Sequence, residues 1–222
     1  MTEKINRPIE NKPGWKALRL FLRWDFLLFL ILDFTPSPPF FFGTFSSLAK
    51  LLSIVLLFIA QALWGKKDAL LWKLAAALTI LTDFLLLFTP RYFEGVTLFV
   101  LVHFLRFAQR KKVEGKQFPL WAALLAPALY FSMRAFFPSL MAMGLVYGFF
   151  LLLNTCDAFS SKNKRLRQAY LFFLFCDLSV GAANLLPPGT LAELSSKLIW
   201  FFYLPSQVFL AEEILVLPSS DQ

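Results

Sequence analysis

The sequence predicts an all-α fold, a polytopic transmembrane helix bundle of eight spans with both chain ends in the cytoplasm. Of the 222 residues, 58% are hydrophobic and 16% are charged, which is too apolar for a soluble domain. Eight apolar runs follow one another, each long enough to cross a bilayer. The short segments between them alternate between basic and nearly uncharged, as the loops of a membrane protein do.

Each predicted helix ends where the sequence supplies a helix-breaking residue or a charged turn. Proline follows the first, third and seventh runs, at Pro36, Pro90 and Pro187, and the second run ends at Gly65. Pro127 lies inside the fifth run and predicts a kink there. In chain order, the predicted helices span residues 17–34, 44–64, 69–88, 92–109, 118–134, 138–158, 167–186 and 194–216.

The basic residues set the predicted orientation. The cytoplasmic side of this topology holds 16 Lys and Arg, within residues 4–19, 66–67, 106–116 and 162–167. The other side holds Arg91, Arg134 and Lys197. The positive-inside rule therefore places the polar tails, residues 1–16 and 217–222, in the cytoplasm. The net charge of +8 is explained by this bias, so no nucleic-acid partner is expected.

Polar side chains within the apolar runs are the candidate functional residues. A charge at mid-bilayer depth costs roughly 2.5–3.5 kcal/mol and therefore tends to face a polar interior. Asp177 lies midway along the seventh run, and helical spacing places Gly181 and Asn184 on its face. Asp83 shares a face of the third run with Thr79 and Thr82. These two aspartates are the strongest candidates for function.

Other helices carry further polar positions. The fourth has Gly95, Phe99 and His103 at four-residue spacing, with Arg106 one turn further, and the second has Lys50. The sixth and eighth contribute Tyr147, with Asn154 and Asp157 in register, and Tyr203 and Gln207. Residues near predicted cytoplasmic helix ends have an ordinary explanation, because their side chains can extend to the head groups. These are Arg106, Asp157, Glu212 and Glu213.

Three further features have structural interpretations. Asp25 and Asp33 can pair with Arg23 or the end of their helix. Gly144 and Gly148 form a GxxxG pair, which is a helix-packing motif. The two cysteines lie in separate apolar runs, so no disulfide framework is expected.

Several polar positions lie in short motifs whose order is informative. These are Lys50-Leu-Leu, Thr82-Asp83-Phe-Leu-Leu, the run from Gly95 to His103, Tyr147, the run from Ala169 to Asp177, and Phe202-Tyr-Leu-Pro-Ser-Gln207. In this order they resemble motifs of the YhhN family of multi-pass membrane proteins, the lysoplasmalogenases. Four positions depart from the family pattern, which has proline, glycine, tyrosine and serine where this chain has Leu51, Thr82, Arg106 and Cys176.

The resemblance implies hydrolysis of the vinyl ether of a lysoplasmalogen to a fatty aldehyde and a glycerophospho-alcohol. It implies catalytic roles for Asp83, Asp177 and His103, and substrate-binding roles for a second set, Lys50, Tyr147, Tyr203 and Gln207. One carboxyl group would deliver a proton to carbon while the other activates water. We expect the three catalytic side chains to face one lipid-accessible cavity, and Lys50 to make a hydrogen-bonded or water-bridged contact with one of the two aspartates.

Other functions stay open at this point. A zinc hydrolase with three histidines is disfavoured because the chain has one His, and no Gly-x-Ser-x-Gly nucleophile motif is present. No metal or cofactor is therefore expected. A non-catalytic lipid-binding protein, a transporter of the same fold or an inactive family member would carry the same buried polar groups. In each case the expected partner is a membrane lipid or lysolipid, and the expected location is a bacterial plasma membrane.

Overall fold

The structure is a computed structural model that describes residues 13–34, 40–65, 69–115, 117 and 119–216. This part of the chain is helical apart from its connections and contains no strand, which confirms the all-α character of the predicted fold. Its eight helices are α1 Pro13–Phe34, α2 Phe40–Trp64, α3 Leu70–Phe88, α4 Tyr92–Val113, α5 Leu120–Arg134, α6 Ser139–Ser160, α7 Lys164–Leu185 and α8 Thr190–Val216. The predicted tails lie outside the described residues except for 13–16, which form the first turn of α1.

Among the residues that the structure describes, four helical segments are long and apolar enough to cross a membrane, which indicates a membrane protein. They are Thr44–Trp64, Leu70–Phe88, Ser139–Ser160 and Lys164–Leu185. A fifth apolar helix, Leu120–Arg134, is shorter.

The helix ends show that the chain runs up and down through the bundle. At one end the start of α1 meets the ends of α2 and α8, and the ends of α4 and α6 meet each other. The side-chain pairs that join these ends are Trp15–Trp64, Arg19–Glu212, Arg110–Asp157 and Asn163–Glu213. We call this side the basic end. At the opposite side, the end of α1 meets the starts of α2 and α8 through Lys50–Asp33 and Lys197–Phe34.

Helix α4 packs on α3, α5 and α6. Near the start of α4, Gly95 lies so close to α3 that an added Cβ would be 2.6 Å from Leu86 Cδ2. The glycine therefore permits α3 and α4 to touch. The predicted GxxxG pair does not serve this purpose within the chain, because a Cβ on Gly144 or Gly148 would meet no heavy atom within 4 Å.

Helix α7 begins three residues earlier than predicted because Asn163 caps it. The Asn163 Oδ1 accepts hydrogen bonds from the backbone N–H groups of Arg165 and Leu166, at 3.0 and 3.2 Å. This satisfies two of the N–H groups that the first turn of a helix leaves without partners. Helix α7 then packs along α8, and these two helices carry half of the site described below.

Candidate functional site

Asp83 lies buried on α3 and is held by a tyrosine from the last helix. The Tyr203 hydroxyl lies 2.9 Å from Asp83 Oδ1 and 2.8 Å from Oδ2. The neighbouring hydroxyls of Thr79 and Thr82 donate to carbonyls of their own helix, at 2.8 Å each. Tyr203 is thus the side chain that orients this carboxyl group.

Asp177 on α7 has the same kind of partner. The Tyr147 hydroxyl of α6 lies 2.6 Å from Asp177 Oδ2. Asp177 is only partly buried, and a Cβ on Gly181 one turn further would have open space around it. The third member of the predicted polar face, Asn184, is exposed and donates to Val180 O of its own helix. Of that face, Asp177 is the residue that engages another helix.

An aromatic cluster joins the two aspartate–tyrosine pairs. The fully buried His103 ring has its centroid 5.0 Å from that of Phe173 and 5.2 Å from that of Tyr147. Phe99 completes the cluster, with its ring centroid 5.8 Å from that of Tyr147 and 6.4 Å from that of Tyr203. The structure therefore brings His103 and the partners of both aspartates together.

The three predicted catalytic side chains do not touch directly. Both ring nitrogens of His103 are without a hydrogen-bond partner in the described part of the chain. Cys176 lies within electrostatic reach of both aspartates, so the two carboxyl groups belong to one region of the bundle.

The direct partner of Lys50 is a different aspartate. Its ammonium pairs directly with Asp33, which also accepts a hydrogen bond from Ser46 Oγ at 2.6 Å. The structure therefore shows no hydrogen bond from Lys50 to Asp83 or Asp177, and a water-bridged contact with one of them stays a prediction. Lys50 lies in the first half of α2 and Asp33 lies near the end of α1, both away from the basic end. Asp33 thus supplies a carboxylate within reach of Lys50. Asp25, also linked to α2, accepts from Ser53 Oγ at 2.6 Å.

Arg106 is buried, which contradicts the expectation that it extends to the head groups. It is 2% exposed, and its Nη2 donates to Gln207 Oε1 at 3.1 Å, with Thr79 Oγ1 at 3.4 Å. Gln207 is therefore part of the interior, as predicted, but as a partner of Arg106. The signal for Arg106 was present in the sequence, because it continues the face of α4 that carries Gly95, Phe99 and His103.

Arg110 forms a second buried network, nearer the basic end, that sequence reasoning missed. Its Nε, Nη1 and Nη2 donate to Asp157 Oδ2, Tyr170 Oη and Asn154 Oδ1, at 2.8, 2.9 and 2.6 Å. The Asn154 amide also donates to His103 O at 3.1 Å, so the network fixes the backbone beside the histidine.

The acidic residues near this end are internal partners as well. Lys111 contacts Asp157, Arg19 and Arg165 contact Glu212, and Asn163 contacts Glu213. We expected these three carboxylates to extend to the head groups, but each contacts another side chain of the protein instead.

The described part of the chain forms a cavity that neither Asp83 nor Asp177 lines. It has a volume of about 520 Å³ and lies between α1 and α8, and we call it the α1–α8 groove. Apolar side chains such as Phe26, Leu204 and Val208 form its body, and the charged Arg19, Arg23 and Glu212 also line it. Asp83, Asp177, His103 and Gln207 are not among its lining residues, so the α1–α8 groove is not the predicted cavity around them.

No group of three or more His, Cys, Asp and Glu side chains among the described residues is arranged to hold a metal ion. Comparisons of the chain with protein-family models, with curated proteins and with solved structures return no match.

Proposed function

We propose that this protein is a membrane-embedded hydrolase that cleaves the vinyl ether bond of a lysoplasmalogen. One observation carries the proposal: two interior aspartates, each bonded to a tyrosine, flank one aromatic cluster with a histidine at its centre. Carboxyl groups inside a helix bundle are costly and are retained where chemistry requires them. Two such groups on either side of one substrate can act as acid and base.

The reaction requires three steps that these residues can perform. One carboxylic acid donates a proton to the outer vinyl carbon, which leaves an oxocarbenium ion. The second carboxylate accepts a proton from water as that water bonds to the cation and forms a hemiacetal. In the collapse of the hemiacetal, its hydroxyl proton returns to the first carboxylate while the second carboxylic acid protonates the glycerol oxygen. The carbon–oxygen bond breaks, the aldehyde and the glycerol hydroxyl are released, and both carboxyl groups regain their starting states. Aromatic faces such as that of Phe99 stabilise the cation through their quadrupoles.

The test is aldehyde release from a lysoplasmenyl lipid by the purified protein. Asp83→Asn and Asp177→Asn should each lower turnover at least 100-fold, because each removes a proton donor or acceptor while keeping the side-chain shape. Asp25→Asn is the matched control, since this buried carboxyl group bonds Ser53 away from the cluster. Full activity in both site variants would refute the proposal.

The proposed topology is eight spans with both termini cytoplasmic, which puts the basic end in the cytoplasm. Support comes from the alternation of the helix ends and from the arginines gathered there. Reporters fused after Gln222 and into the 187–189 turn should respond on opposite sides of the membrane. A response from the same side would contradict this topology.

A second candidate, a lipid-binding protein without catalysis, is favoured by the α1–α8 groove. Its volume of about 520 Å³ lies in the range of ligand sites, and its lining combines apolar side chains with two arginines. Tight binding of lysolipid without any aldehyde release would favour this candidate.

A further inference from the structure

Arg106 differs from Arg110, the next arginine on the same helix, in having buried N–H donors without partners. Its Nε and Nη1 have no hydrogen-bond partner within the described residues, and only Nη2 is engaged. Arg110, one turn along the same helix, has all three guanidinium nitrogens bonded. Both side chains are buried, so the difference lies in what surrounds them.

The unmet donors around Arg106 belong to a small group of residues. Gln207 gives its Oε1 to Arg106, which leaves its Nε2 amide buried and without a partner. His103 precedes Arg106 by three residues on the same helical face, and its ring nitrogens are also unpartnered. Buried polar groups are normally paired, so a cluster of unpaired donors indicates a place for an acceptor that the chain does not supply.

The charge on Arg106 points to the nature of that acceptor. The Asp83 carboxyl group interacts with the guanidinium electrostatically but forms no hydrogen bond or ion pair with it, and it accepts from Tyr203. No carboxylate of the described residues forms an ion pair with Arg106, whereas Arg110 has Asp157. A buried guanidinium without a counter-ion is costly, and oxyanions such as phosphate are its preferred partners.

We propose that Arg106, Gln207 and His103 form a buried site for the phosphate group of a single-chain phospholipid. Arg106 supplies the charge, and the Gln207 amide supplies a neutral donor beside it. The proposal rests on the proposed function for the lipid nature of the ligand, and it adds which side chains of this protein hold the phosphate of that lipid.

The site also orients the lipid. Arg106 lies three residues beyond His103 toward the basic end, which is about 4.5 Å along the helix axis. A phosphate held at Arg106 places the glycerol one turn back, beside His103 and the aromatic cluster. The head group therefore points toward the basic end, and the ether-linked chain points toward Asp83 and Asp177.

Binding separates this inference from the proposed function, because it can be measured without turnover. The probes are a lysophosphatidylethanolamine with an ester-linked chain, a monoacylglycerol with the same chain, and inorganic phosphate. The wild type should bind the lysophospholipid at least tenfold more tightly than the monoacylglycerol. Arg106→Gln should abolish this preference, whether or not the protein releases aldehyde from a vinyl ether.

Two further variants keep the test decisive. Gln207→Glu places a carboxylate against Arg106, so it should occupy the site internally, keep or raise the Tm and still remove the preference. Arg23→Gln removes an arginine from the α1–α8 groove and should keep the preference. Loss of the preference in Arg23→Gln but not in Arg106→Gln would overturn the proposal. Binding of inorganic phosphate alone at Arg106, with no lysophospholipid binding, would overturn it too.

Discussion

Replacing Asp157 by alanine should destabilise the protein more than replacing its partner Arg110 by methionine. The two side chains are 14% and 9% exposed, so both charges are largely removed from solvent. Asp157→Ala leaves the Arg110 guanidinium buried with only the neutral partners Tyr170 and Asn154. Removing one partner of a buried pair typically costs about 3–5 kcal/mol. We expect about 3 kcal/mol, because the pair retains some solvent contact.

Arg110→Met leaves no such uncompensated group. Asp157 keeps Lys111, and the Tyr170 hydroxyl keeps Asn154 Oδ1 at 3.2 Å. Methionine also fills most of the volume of the arginine stem. The cost should be about 1 kcal/mol, which is the net value of an ordinary hydrogen bond.

Thermal unfolding of the variants in the same detergent tests the expected difference in stability between Asp157→Ala and Arg110→Met. At roughly 2–4 °C per kcal/mol for a chain of this size, Asp157→Ala should lower the Tm by about 6–12 °C and Arg110→Met by about 2–4 °C. The double variant should be more stable than Asp157→Ala alone, because the unpaired charge is gone. An equal loss in both single variants would refute the argument from an unpaired buried charge.

Two other predictions concern the packing and capping of the helices. Gly95→Ala should lower the free energy of unfolding by about 1–3 kcal/mol because the new Cβ would lie 2.6 Å from Leu86 Cδ2. Gly148→Ala should raise the free energy of unfolding by about 0.5–1 kcal/mol, because the new Cβ would meet no heavy atom of the described residues within 4 Å. If unfolding experiments found Gly95→Ala to be the more stable of the two variants, the packing described would be wrong. Asn163→Ala should lower the free energy of unfolding by about 1 kcal/mol and speed hydrogen exchange in the first turn of α7. Asn163→Ser should restore most of the cap. Unchanged exchange in the alanine variant would exclude capping.

The helices could be predicted closely because the relevant signals are local. Apolar runs ended by proline or charge place every helix boundary within four residues of the one observed. The largest differences are at helix starts and at the end of α4, which continues through the basic segment to Val113. Basic residues favour the last turn of a helix, so this extension has a physical cause that the apolar pattern alone does not reveal.

The partners within the site could be predicted only in part because they depend on how helices rotate and tilt. The interior positions of Asp83 and His103 followed from helical spacing, and both are buried. Helical spacing did not predict the direct partners of Asp83 and Arg106, which are Tyr203 and Gln207. These two residues lie on α8, more than 100 residues further along the chain. Arg106 was assigned to the head groups because that is usual near a helix end, whereas a longer α4 carries it into the core.

The order in which the chain is synthesised gives the last helix a special role. Tyr203 follows Asp83 by 120 residues, and Gln207 follows Arg106 by 101. At the usual translation rate of about 5–20 residues per second, Tyr203 is synthesised about 6–24 s after Asp83, to which its hydroxyl donates. During that interval an aspartate and an arginine belong to a nascent chain that has not yet made their partners. Arrival of α8 therefore ends the most vulnerable stage of assembly, and a ribosome that pauses before residue 190 would lengthen it.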